Sequence, residues 1–234
     1  MTLWNSGPWL WEPAGLAHSP ETSAVFNSIN TICQAVMRSS LPTICTVAHL
    51  RMFNDIISQF GLKASFVGPN QPENFTAVIT PRTKAPFCET LSNPACDVAD
   101  IEAFVEIAHA NTLLLIVDAT FTTLVLQRSI DFGADVIVNF QKNWLGGHGI
   151  GEVVVDSGKL DWKSEYFPLM IEPDSSYDGL RWAHDLPPEL APLAYILHMR
   201  TVPLRYLRAC ISPDNAWMFL QGLETVATAH GTAL

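Results

Sequence analysis

Two side chains in the middle of this sequence stand where chemistry would need them. Asp118 closes the apolar run Leu113 to Val117. Lys142 follows a second apolar run, Val136 to Val138, and precedes the turn Gly146-Gly147-His148-Gly149. An amine can form a Schiff base with an aldehyde, and a carboxylate can keep an aromatic ring nitrogen protonated. Acid and amine at the ends of neighbouring strands would together suit a pyridoxal phosphate pocket, with the cofactor as electron sink.

The elements that must position this pair can be read from spacing. Apolar runs of strand length without polar alternation predict parallel strands buried on both faces. Between them runs a short helical link, with Gly133 as its stop. In open sheets of this kind ligands sit beyond the carboxyl ends of the strands, which is where Asp118 and Lys142 fall. Upstream, Val25, Phe26, Ile29, Ile32, Cys33 and Val36 lie on one helical face, capped by Thr22 or Ser23. Thr43 to Val47 reads as a strand, and Met52, Phe53, Ile56, Ile57 and Phe60 as a helix stopped by Gly61. Ala64 to Val67, Val78 to Thr80 and Ala85 to Glu89 read as extended, with a turn at Ser92-Asn93-Pro94. Asp100 should cap a helix buried through Ile101, Phe104, Val105 and Ala108. Val153 to Val155 predicts a further strand. Residues 163 to 190 read as loop-rich, and helices cover roughly 191 to 208 and 215 to 227. This alternation predicts an α/β three-layer sandwich with a mostly parallel sheet and right-handed crossovers. Residues 1–20, rich in Trp, Pro and Gly, read as an irregular arm, and 21–234 as one large domain.

Composition narrows the partners. With 48% hydrophobic residues in 234, the chain can bury a substantial core. Its 23 acidic against 13 basic residues argue against nucleic acid or an anionic membrane as partner. The five scattered cysteines lack zinc-site spacing, as do the histidines, so no metal is expected. Buried free thiols and a start without a basic signal region point to a reducing, cytoplasmic setting. No apolar run reaches membrane-spanning length.

Taken together, several segments resemble the trans-sulfuration (Cys/Met metabolism) family of pyridoxal-phosphate enzymes. They are ENFTAVITPRTKAPFCETLSNP, DVADIEAFVEIAHAN, LLIVDATF, LGGHG, VVVDSGKLDW, EPDSSYDGL and ISPDNAWMFLQGLET, in order and at near-correct spacing. The insert Asp156 to Trp162 looks most like the O-acetylhomoserine sulfhydrylase branch. The likeness covers roughly Ile29 to Thr225. It implies the large domain of a fold type I transferase without the family's C-terminal domain.

The resemblance also implies roles. Asp118 falls where the family's carboxylate meets the pyridine nitrogen; a helix cap after the strand is its structural alternative. Asn93 falls where an asparagine contacts the phenolic oxygen, and Glu89 lies in the same motif near the ring. His148 reads as a turn or packing histidine. At the Schiff-base position the sequence has Asn143, with Lys142 one residue early, and an amide cannot form an imine. A displaced Lys142 is therefore the candidate amine. The phosphate-cradling turn falls on Pro20-Glu21-Thr22, the stacking tyrosine on Thr46, and the family's asparagine on Ala119. Three readings follow. The chain is a sulfhydrylase acting on O-acetylhomoserine or another activated amino acid, with relatives in sulfur amino-acid or secondary metabolism. Alternatively it is a non-catalytic homo- or hetero-oligomer partner of an intact relative, or a truncated remnant.

Overall fold

The computed structural model describes residues 15–19, 23–33, 47–68, 73–141, 144–145, 147, 149–207 and 209–231. Five strands form one sheet: β1 (Gly15–Ser19), β2 (Phe87–Glu89), β3 (Ile116–Asp118), β4 (Val136–Phe140) and β5 (Glu152–Asp156), in the order β1-β5-β4-β3-β2. β2, β3 and β4 pair in parallel, whereas β5 is antiparallel to both of its neighbours. Four of the five strands therefore point the same way, and the expected mostly parallel sheet is present with one reversed member.

The alternation of side chains along the strands makes the three layers. Ile116, Val136, Val138 and Val154 enter one core with α1 (Ser23–Asn30), the segment from Trp162 to Met170, and α7 (Ala194–Thr201). Val117, Ile137, Val153 and Val155 enter the other with α4 (Ile101–Ala110). A strand's two faces are both apolar only when both are covered, so the uninterrupted runs seen in the sequence are the mark of this arrangement. The α4 prediction is met in detail. Asp100 accepts the Ala103 N–H at 3.1 Å, and Ile101, Phe104, Val105 and Ala108 are buried.

Other expectations need correction. Residues 15–19 lie in the stretch read as an irregular arm, yet they form an edge strand against β5. Val47, read as a strand end, begins α2 (Val47–Arg51), which runs on through a wider turn at Met52–Ile56 and a tight one at Ile57–Phe60. The helix thus starts a turn before its apolar pattern does, and Gly61 ends it at φ 77°. Ala64–Val67 and Val78–Thr80 join no strand, and within Ala85–Glu89 only β2 is paired. Short apolar runs do not form strands without a partner in register. No helix among the described residues is long and apolar enough to cross a membrane.

Candidate functional site

The parallel pairing of β2 and β3 sets Glu89 directly beside Asp118 at the carboxyl edge of the sheet. Both are buried. A third carboxylate shares this edge: Glu152, opposite Phe140 in the β4–β5 pair, accepts the Ala24 N–H in the first turn of α1 at 2.7 Å.

Asp118 is held on one side only. Its Oδ1 accepts the Thr120 N–H at 2.8 Å and the Thr120 hydroxyl as well. That hydroxyl oxygen accepts the Phe140 N–H at 3.0 Å, and the Trp144 indole N–H donates to the Thr120 carbonyl. The turn after β3 is thereby tied to the end of β4. Thr122 donates to the Thr90 hydroxyl at 3.0 Å, which ties it to β2 as well. Asp118 Oδ2 makes no hydrogen bond among the described residues and faces an imidazole.

That imidazole belongs to His49, carried by α2 and buried. Its Nδ1 lies 2.7 Å from Glu89 Oε1 and its Nε2 lies 3.8 Å from Asp118 Oδ2. The ring packs edge-on against Phe87 at 5.3 Å and lies 5.9 Å from the Phe140 ring. One ligand atom from each of the three residues falls within 4.8 Å of the others, a spacing that a metal ion could also span. The sequence showed no metal-ligand pattern because three distant segments supply these groups. In this structure the imidazole itself joins the two acids.

The charges respond to this setting. Burial pushes the Asp118 carboxyl up to about 6, against the opposing pull of His49 and the Thr120 hydroxyl. Burial alone would push the His49 imidazole down. The hydrogen bond to Glu89 and the charges of Asp118 and Glu89 outweigh it and hold His49 above its ordinary value. Behind them burial pushes the Cys88 thiol up, so it stays protonated.

The other residues expected at a site fare differently. Asn93 stands exposed in the turn after β2. Lys142, Asn143, His148, Thr46 and the Pro20–Thr22 turn lie outside the described residues. Downstream of Lys142, Leu145 and Ile150 are held by the last helix. α9 (Pro213–Gly231) packs on Leu145 so closely that a Cβ at Gly222 would lie 2.5 Å from the Leu145 carbonyl carbon. Asn215 Nδ2 donates to the Ile150 carbonyl at 2.8 Å. The glycine here permits close approach of two backbones.

Sequence reasoning brought Glu89 and Asp118 forward and missed His49. A signal existed: His49 lies three and four residues before Met52 and Phe53, on the buried stripe of the same helix. A polar residue on such a stripe needs a buried partner.

A three-layer α/β sandwich with a buried acid at the end of a central strand is the arrangement found in the large domain of pyridoxal-phosphate transferases. The chain belongs to the Cys/Met metabolism PLP-dependent enzyme family, whose pattern matches residues 13–229. It is 39% identical over 184 residues to the O-acetyl-L-homoserine sulfhydrylase of Corynebacterium glutamicum, covering 75% of this chain and 41% of that protein. It is 36% identical over 219 residues to the homocysteine synthase of Schizosaccharomyces pombe, covering 92% and 50%. Among solved structures, a Campylobacter jejuni O-acetylhomoserine (thiol)-lyase bearing a pyridoxyl-lysine phosphate superposes with a TM-score of 0.79. It is 28% identical, with 91% of this chain and 53% of that one covered. The chain thus spans about half the length of the curated relatives it matches.

Proposed function

We propose that this chain is a sulfhydrylase-type, pyridoxal-phosphate-dependent protein. It would exchange the acetyl-bearing leaving group of O-acetylhomoserine, or of a related activated amino acid, for a sulfur nucleophile. The observation that carries this reading is the Asp118 carboxylate, buried at the carboxyl end of β3, with Oδ1 tied down by Thr120 and Oδ2 3.8 Å from His49.

The described residues fit the ring end of the cofactor. A carboxylate oxygen of a buried acid, left at 3.8 Å from its imidazole neighbour, is the acceptor that a protonated pyridine nitrogen needs. Asp118 would hold that nitrogen, Glu89 would lie beside the ring, and Asn93 would turn toward the phenolic oxygen. Lys142 would be the amine that captures the aldehyde. When bound, the cofactor supplies an electron sink for bonds at the substrate α-carbon. The chain's own contribution is to exclude water from the Asp118 edge and to keep that carboxyl oriented through Thr120.

A second reading has an observation of its own. Tyr206 and Leu207 of α8 (Pro203–Leu207) and Trp217 of α9 are each more than half exposed. Large apolar side chains exposed to this degree suit a subunit contact, in a homo-oligomer or with an intact relative.

Spectral titration with pyridoxal phosphate, borohydride reduction and peptide mapping test the first reading. A yellow band and a reduced adduct on Lys142, both lost in Lys142→Ala, are expected. A folded protein that gives neither would rule out pyridoxal-phosphate catalysis by this chain alone and leave the subunit reading.

A further inference from the structure

His49 stands apart from the residues named so far: it is buried between the two acids of the carboxyl edge, yet the reaction scheme above gives it nothing to do. We propose that His49 is a positioning residue for the ring end of the site: as a cation bridging Glu89 and Asp118, it keeps the Asp118 carboxylate charged and aimed at a protonated aromatic nitrogen. This rests on the reading of Asp118 as the ring-nitrogen partner.

Three features support it. First, both imidazole nitrogens face carboxylates, Nδ1 at hydrogen-bonding distance from Glu89 and Nε2 at 3.8 Å from Asp118. An imidazole placed between two acids in this way is stabilised as the doubly protonated cation. Second, the two contacts are unequal. Glu89 anchors the ring, whereas 3.8 Å to Asp118 is too long for a hydrogen bond and still short enough for charge to act. Oδ2 therefore keeps its lone pairs for a ligand while sharing the field of the imidazolium. Third, the ring sits in an apolar setting that strengthens charge. Phe87 (β2), Phe140 (β4) and Phe53 (from the wider turn following α2) pack around it, and among the described residues the charges of Glu89 and Asp118 act on His49.

Without the imidazolium, two buried acids in register would be left side by side, and sharing one proton would relieve their repulsion. Asp118 would then be neutral for part of the time and unable to pair with a pyridinium. The burial that pushes Asp118 up would then be opposed by the Thr120 hydrogen bonds alone.

The test uses 4′-deoxypyridoxine 5′-phosphate, which has no aldehyde and so does not depend on Lys142. Its ultraviolet spectrum reports whether the bound ring nitrogen carries a proton. In wild type the bound ring should stay protonated through neutral pH. In His49→Gln, which keeps a hydrogen-bond donor toward Glu89 but no charge, it should lose that proton at least about one pH unit lower, with affinity down about tenfold. Carbon-13 NMR of the ligand-free chain should show the Asp118 midpoint raised by about one unit in the same variant. Nitrogen-15 NMR of wild type should show protons on both His49 nitrogens at about pH 7. A neutral tautomer there, or an Asp118 midpoint unchanged in His49→Gln, would overturn the proposal. A wild type that binds no ligand would instead overturn the site reading above, and the ligand-free titrations would still decide the role of His49.

Discussion

At the carboxyl edge of the sheet Glu89 and Asp118 have a buried imidazole between them, whereas at the amino edge Asp135 and Asp156 have no such mediator. Asp135 Oδ2 accepts the Leu115 N–H at 2.8 Å and faces the half-exposed His109 at 2.9 Å. Asp156 Oδ1 accepts the Gly158 N–H at 3.0 Å, but its Oδ2 is buried without a hydrogen bond. Burial, with Asp135 adding to it, pushes the Asp156 carboxyl up to about 7. Two pairs of acids at opposite ends of one sheet thus solve burial differently. One pair is given a counter-charge. At the other, Asp156 is left to take up a proton. A counter-charge costs stability to desolvate, and a fold keeps one where ionised carboxylates are useful.

The largest effect should come from the amino edge. Asp156 has a folded value above its unfolded one of 3.8, so below about pH 4 both states are protonated and its burial costs nothing. As pH rises from about 4 to 7, the unfolded chain ionises first and the folded state loses stability, by roughly 4 kcal/mol if Asp156 acts alone. Urea unfolding at the two ends of this window should show that loss in wild type and a distinctly smaller one in Asp156→Asn, where Asp118 still titrates. An equal slope in the variant would erase the distinction between the edges.

At the carboxyl edge the next largest effect is expected from Thr120→Val. It removes the hydroxyl that donates to Asp118 and accepts from Phe140, leaving the Phe140 N–H unmatched and Asp118 Oδ1 with only the Thr120 N–H, at a cost of about 1–3 kcal/mol in urea unfolding. The Asp118 midpoint should also rise, because a bond to its charged form is lost. Smallest of all should be His109→Ala. Its pair with Asp135 is half exposed, and such pairs contribute at most about 1 kcal/mol. A loss several times larger would show that His109 is as integral to its edge as His49 is to the other.

Much of this architecture was legible because it is local. The apolar runs ending at Glu89 and Asp118, the Asp100 cap, and the stops at Gly61 and Gly133 depend on neighbours in sequence. What was not legible depends on distant partners. Gly15–Ser19 has no strand pattern of its own and becomes a strand through β5. Val47 carries a β-branched side chain suited to a strand, yet it begins the helix that delivers His49. His49 acquires its role only when β2 and β3 bring two acids to it from elsewhere in the chain. The side chain of Asn93, assigned by resemblance, lies exposed.

The pairing of β1 with β5 also bears on how the chain is made. Gly15 meets Asp156 and Ser19 meets Glu152, so the first of the five described strands must wait for the last. β2, β3 and β4 can pair in parallel before that, through crossovers of modest length, whereas closing the sheet's far edge requires a loop of more than a hundred residues. Until β5 arrives, β4 is itself an unprotected edge rich in valine and isoleucine. Folding should therefore proceed with β2, β3 and β4 in place early and β1 added last, and the interval before β5 emerges is when a nascent chain is most exposed to pairing with a neighbour.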